Sequence, residues 1–187
     1  ILVMGITLYT SRIVLKELGV ENYGIYNVVG GVVAMFNLLV GSLRAATQRF
    51  ITFELGKSEN RQLKRIFSAS VTIHFIISIV IFILAESIGI WFLNTQMNIP
   101  VERMVAANWV FQCSVFTFII NLISVPYNAA IIAYEKMSVF AYISVVEVIL
   151  SLIIVYLLAL TNYDKLIVYA LLLLSVAFII RLIYVKF

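Results

Sequence analysis

The chain has 187 residues, of which 64% are hydrophobic and 12% charged, with a formal net charge of +4 and a mean hydropathy of +1.11. An ordinary soluble domain carries roughly 25% charged residues, so a water-soluble globule is excluded because too few charges remain to cover its surface. One cysteine, Cys113, and one histidine, His74, exclude a disulfide framework and a thiolate or His-rich metal cage, and no phosphate-cradling, dinucleotide-binding or nucleophile-elbow motif occurs.

Apolar runs near the ~20 residues needed to cross a bilayer recur along the whole chain and predict an all-α polytopic membrane protein, a bundle of about six transmembrane helices. The first is a stub over residues 1–15, interrupted by Arg12 and followed by a polar turn in which Gly19 and Gly24 bracket Val20-Glu21-Asn22-Tyr23. The second covers about 25–53, and its charge-free part from Asn22 to Leu43 is 22 residues long. The third covers 66–93, with 20 uncharged residues from Ile66 to Ala85, and leads into a turn at Asn98 and Pro100. The fourth, 104–134, is uncharged for 31 residues. At 1.5 Å per residue it measures about 46 Å and overshoots a ~30 Å hydrocarbon core, so Pro126 is expected to kink or end it. The fifth covers 138–160 and carries Glu147, and the sixth covers 166–187 and carries Arg181. The chain begins inside one apolar segment, without a signal peptide, and ends inside another. It is therefore expected to be part of a longer protein.

Orientation follows from the placement of Lys and Arg when the turns alternate sides. Lys57, Arg61, Lys64 and Arg65 cluster in one short loop, and Lys136, Arg181 and Lys186 fall on the same side. They outnumber Arg12, Lys16, Arg103 and Lys165 opposite, which predicts a cytoplasmic Lys57–Arg65 loop. Trp91 and Trp109 flank the turn on the other side, as an interfacial aromatic belt would. The net charge thus reads as membrane topology and not as a nucleic-acid footprint.

Polar and small residues within the helices fall into stripes. In the second segment Asn27, Gly30, Ala34, Asn37, Gly41, Arg44 and Gln48 follow at alternating steps of three and four, so they share one helix face. Ser114, Thr117, Asn121, Ser124 and Asn128 repeat the pattern in the fourth, Ser70, His74 and Ser78 in the third, and Ser144, Glu147 and Ser151 in the fifth. Small residues of this kind also serve as packing seams between membrane helices. Amides and charges such as Asn37, Asn121, Arg44 and Glu147 in one bundle equally suit a water-filled cavity.

Two readings are open for Arg44 and Arg49. Arg44 lies about 28 Å along a helix that starts at Ile25, so it can snorkel to the headgroups. It also lies on the polar stripe, and an intramembrane Arg, costing about 2.5 to 3.5 kcal/mol on insertion, commonly marks a substrate path. A guanidinium fork suits phosphate oxygens. Glu147 and Arg181 stand at similar depth in a helical hairpin and are expected to pair, with proton or cation coupling as the other reading of Glu147. His74 is level with Arg44, and is either a helix–helix hydrogen bond or a proton shuttle.

Leu8-Tyr9-Thr10-Ser11-Arg12, the stretch from Leu18 to Asn27, Ala46-Thr47-Gln48-Arg49-Phe50 before Glu54-Leu55-Gly56-Lys57, and Val125-Pro126-Tyr127-Asn128-Ala129 before Ala133-Tyr134-Glu135-Lys136-Met137 resemble the Wzx-type polysaccharide-export flippases. That family shares a superfamily with the MATE multidrug exporters and the lipid II flippases. The resemblance covers essentially all of this chain but only the first half of such a transporter. It implies that residues 1–187 form a partial N-terminal transmembrane lobe of a MATE-like fold, with alternating access around a cationic central cavity and a bacterial inner-membrane location. The implied function is flipping of polyprenyl-diphosphate-linked oligosaccharide repeat units, beside a polysaccharide polymerase or ligase. It supports Arg12, Arg44 and Arg49 as cavity residues, joined by Gln48, Asn37 and Asn121 from the stripes.

No metal, organic cofactor or nucleic acid is expected, whereas a coupling cation and membrane lipid are compatible with this reading. A cation-coupled MATE-type small-molecule antiporter is the alternative within the class, disfavoured because the first two segments hold no intramembrane carboxylate and the single Asp, Asp164, lies in a turn. A membrane-embedded polymerase or acyltransferase is the alternative from another class. It would need an acid–base pair in a substantial outer loop, and the outer turns here are short, so a non-enzyme is expected.

Overall fold

The computed structural model describes residues 2–57, 60–161 and 163–186, which leaves Ser58 and Glu59 of the basic loop outside it. Apart from short turns the described residues are helical, and none of them is in a strand. The order is α1 (Leu2–Ala34), α2 (Asn37–Gly56), α3 (Asn60–Leu84), a π-helical turn (Ala85–Gly89), α4 (Ile90–Thr95), a 3-10 turn (Val101–Arg103), α5 (Met104–Ala133), α6 (Met137–Leu160) and α7 (Lys165–Lys186). The stretches Arg61–Thr95, Val101–Ala133, Met137–Leu160 and Lys165–Lys186 are each long and apolar enough to cross a membrane, and Met4–Ala34 with Asn37–Gly56 makes a fifth if the two form one span. The expected count of six is therefore not reached on length and composition, because the arm before Gly19 supplies only about 26 Å of helix.

The polar stretch after residue 15 is helical, not a loop. Helical geometry runs up to Gly19 and resumes after it, and the change of direction is confined to that residue, at φ 78° and ψ 163°. This is a backbone region that side chains with a Cβ avoid, and nothing lies within 4 Å of where a Cβ would stand, so the demand is on conformation and not on space. Ile6 and Tyr26 line one cavity, whereas 20 residues of straight helix would separate them by about 30 Å. The chain therefore folds back on itself at Gly19.

The expected helix 25–53 is broken at Met35 and Phe36. Here Phe36 N–H donates to Val33 O at 3.1 Å, and Leu39 N–H to Phe36 O at 3.1 Å, the tighter i to i−3 pattern of a 3-10 turn. Gly30 and Gly31 just upstream lower the helix propensity of the approach. Pro126 does not end the fourth segment. It is buried inside α5, which continues to Ala133.

α5 is the axis of the bundle and packs against α1, α2, α3, α6 and α7. Ala107, Val110, Phe111 and Leu122 of α5 are fully buried with Val14, Val29, Leu158 and Leu166 in one continuous core. Gly89, closing the π turn, lets α5 come close, since a Cβ there would stand 2.5 Å from Cζ of Phe111. The outer helices present the reverse of a soluble surface. Ile73, Ile76, Val80 and Ile83 on α3, Ile149 and Ile153 on α6, and Phe178 and Leu182 on α7 are all exposed, the pattern of a multi-pass membrane protein.

Ion pairs mark one end of the bundle. Lys165 Nζ meets Glu17 Oε2 at 2.8 Å and Arg103 Nη1 meets Asp164 Oδ2 at 2.8 Å, so the turns near residues 19, 100 and 163 are stitched together. Asp164 Oδ1 also accepts from Leu166 N–H at 3.0 Å and so caps α7. Lys57, Arg61, Lys64, Arg65 and Lys136 stand at the opposite end.

Candidate functional site: a polar cleft between α1, α2, α5 and α7

The stripes recognised in the second and fourth segments meet. Gly30, Ala34 and Asn37 from the α1–α2 run, and Ser114, Thr117 and Asn121 from α5, line one open cleft of about 200 Å³, closed on a third side by Ala170 and Leu173 of α7. The small side chains of Gly30 and Ala34 on one wall leave the gap unfilled. The amides of Asn37 and Asn121 are exposed within it. Asn27 instead donates its amide to Tyr23 O at 2.8 Å and does not line the cleft.

The polar line continues along both helices. Arg44 and Asn128 lie seven residues beyond Asn37 and Asn121, about 10 Å further down each axis. Asn128 Nδ2 donates to the Tyr184 hydroxyl at 3.1 Å, and that hydroxyl is within electrostatic reach of both Glu147 and Arg44. Hence α2, α5 and α7 run in the same direction, and Arg44, Asn128, Glu147 and Tyr184 form the basic-loop end of the line. Arg44 is exposed, and its guanidinium takes part in none of the ion pairs found among the described residues. Asn128 Oδ1 is buried and has no partner, so the cluster retains an open acceptor beside a cation.

The other expected site residues are distributed differently. Gln48 and Arg49 border a shallow groove with Ala45, Thr52 and Phe53 that α2 forms alone. Arg12 is exposed on the first arm of α1 and lines neither this cleft nor the adjoining cavity. His74 is 2% exposed, its Nδ1 within 2.8 Å of Ser70 O and its Nε2 buried without a partner, and it lies on α3 away from the cleft lining. Arg181 does not pair with Glu147. Its guanidinium carbon lies 3.9 Å over the ring of Tyr127, because its face of α7 is turned to α5, while Glu147 is exposed on α6.

Sequence reasoning missed the tyrosines. Tyr26 lines both the cleft and a second cavity between α1, α6 and α7, and packs edge-on against Tyr169 at 5.0 Å between ring centroids. The second cavity is edged by the hydroxyls of Thr10, Ser11 and Ser151 as well as Tyr23 and Tyr169. The available signal was position: Tyr23 sits one turn before Asn27, where the stripe begins, and Tyr26 one turn before Gly30, and an apolar reading of tyrosine conceals its hydroxyl. Among the described residues no group of three or more His, Cys, Asp or Glu is placed to hold a metal ion.

In comparisons with known proteins, no family model, no curated protein and no solved structure matches the chain.

Proposed function

We propose that this chain is one lobe of a membrane transporter that flips a polyprenyl-diphosphate-linked oligosaccharide across a bacterial inner membrane for surface polysaccharide assembly. The observation that carries the reading is the shared cleft: the amide and small-residue stripes of α1–α2 and α5 face the same space, and the α2 stripe leads to the unpaired cation Arg44. Amides and hydroxyls suit sugar hydroxyls, and a guanidinium suits a diphosphate. The exposed apolar faces of α3, α6 and α7 leave the polyprenyl tail in lipid while its head occupies the cleft. The sequence resemblance supports the same assignment and supplies the second lobe that would face this one.

The test is translocation of a labelled polyprenyl-diphosphate oligosaccharide in proteoliposomes holding the full-length protein, read by loss of lectin access to the sugar on the outer leaflet. Acceleration over protein-free vesicles, abolished in Arg44→Ala, is expected. Gradient-driven efflux of small organic cations without glycolipid movement would instead favour a MATE-type antiporter.

A further inference from the structure

A second groove, of about 370 Å³, opens at the basic end of the bundle, where α3 begins and α5 and α7 end. Phe67, Tyr127, Tyr134, Tyr184 and Lys136 line it. It shares no lining residue with the polar cleft. One ring of its wall is held by two contacts: Phe67 meets Tyr127 at 5.3 Å between centroids and 84° between planes, and the Arg181 guanidinium covers the Tyr127 ring at 3.9 Å. Arg181 stands one turn of α7 above Tyr184, and its Nη1 is buried without a hydrogen-bond partner. Lys136 is exposed in the turn between α5 and α6, and its ammonium takes part in none of the ion pairs among the described residues.

Rings with polar tips beside unmatched cations are what a membrane–water boundary selects. An aromatic belt alone does not require a stacked guanidinium with an unmet donor. Nor does it require an unpaired ammonium at the rim. Lys57, Arg61, Lys64 and Arg65 at the same end add a field that draws anions to this face. We propose that this groove binds the phosphate headgroup of an anionic membrane lipid, with Lys136 at the rim facing the phosphate, Arg181 adding positive charge from behind the Tyr127 ring, the tyrosine rings walling the glycerol region, and the acyl chains left in the bilayer. The groove shares its Tyr184 wall with the basic end of the polar line, where that hydroxyl accepts from Asn128, but its lining is separate from that of the cleft and the proposal does not depend on what the cleft transports.

The experiment is native mass spectrometry of the full-length protein, delipidated in detergent and titrated with phosphatidylglycerol or with zwitterionic phosphatidylcholine. Phosphatidylglycerol is expected to bind more tightly. Lys136→Gln should weaken it about fivefold, the effect of one Lys at a charged membrane surface, and leave phosphatidylcholine unchanged. Lys136→Glu should weaken it further. Tyr134→Leu, at an exposed position, should weaken both lipids, and Arg44→Ala neither. Unchanged phosphatidylglycerol binding in Lys136→Glu overturns the proposal, as does occupancy by inorganic phosphate as tight as by the lipid. Because Arg44 does not line the groove and Lys136 does not line the cleft, loss of glycolipid transport in Arg44→Ala and loss of lipid binding in Lys136→Glu are separable results.

Discussion

Asn128 on α5 donates its side-chain amide to the hydroxyl of Tyr184 on α7 at 3.1 Å, across 56 residues of sequence. This bond fixes the register of the two helices at the basic end and places the hydroxyl within electrostatic reach of both Arg44 and Glu147. Tyr184→Phe leaves the Asn128 amide without its acceptor, beside an Oδ1 that already has no partner. A loss of about 1–3 kcal/mol is expected for a buried polar group left unmatched, read as a lower midpoint of thermal unfolding in detergent. Asn128→Leu combined with Tyr184→Phe should be less harmful than the sum of the single changes. Additive effects would show that the bond does not couple the helices.

Arg44 separates snorkelling from substrate contact. In the full-length protein Arg44→Leu is expected to reduce glycolipid translocation at least ~10-fold, the effect of losing a charge-assisted contact worth about 1.5–3 kcal/mol, with membrane abundance unchanged. Arg44→Lys should recover part of the rate, since an ammonium keeps the charge and loses the fork. Wild-type transport by Arg44→Leu would make the residue a bystander.

Gly19 and Gly24 look alike in sequence and differ in backbone. Both have open space where a Cβ would stand, but only Gly19 has a positive φ, at 78°. Gly19→Ala should therefore cost about 1–3 kcal/mol, since this positive-φ, extended-ψ region is essentially glycine-only, whereas Gly24→Ala, inside a helix, should be neutral or stabilising by up to about 1 kcal/mol. The comparison is made by unfolding in detergent under identical conditions, and equal effects would show that Gly19 is not where the chain turns.

Gly89 makes the opposite demand, on space. The Cβ of Gly89→Ala would stand 2.5 Å from the ring of Phe111, itself fully buried, and overpacking of this kind costs about 1–3 kcal/mol. Phe111→Leu should partly rescue Gly89→Ala by vacating the contact. If the double variant is no more stable than Gly89→Ala, the π turn and not the ring sets the requirement.

The stitched end is testable by charge exchange. Glu17 and Lys165 pair at 2.8 Å with partly exposed side chains, so Glu17→Lys is expected to lower the unfolding midpoint only slightly, chiefly through the repulsion it creates. Glu17→Lys with Lys165→Glu should recover stability. The same end is expected to face away from the cytoplasm. A cysteine at Asn98 should then label from outside intact cells and one at Gln62 should not, and the reverse pattern would invert the topology.

Composition alone excluded a soluble protein, because burial in lipid is the only way to satisfy so many apolar side chains on so few charges. Helical periodicity was equally legible: the stripe from Gly30 to Asn37 and the stripe from Ser114 to Asn121 each occupy one face, and that follows from 3.6 residues per turn whatever surrounds them. Which stripes would face each other was decided by packing. α5 became the axis because Ala106, Ala107 and Val110 let neighbouring helices close in on it, and only then did Asn37 and Asn121 come to share a cleft. The single-residue reversal at Gly19 rests on a positive φ, the break at Met35–Phe36 on i to i−3 hydrogen bonds, and the persistence of α5 through Pro126 on burial of that turn among its neighbours, none of which the spacing of apolar residues reveals. Arg181 shows the limit most directly. Equal depth with Glu147 could be counted from the sequence, but the direction of its side chain was set by how α7 rotates against α5, which turned the guanidinium onto Tyr127.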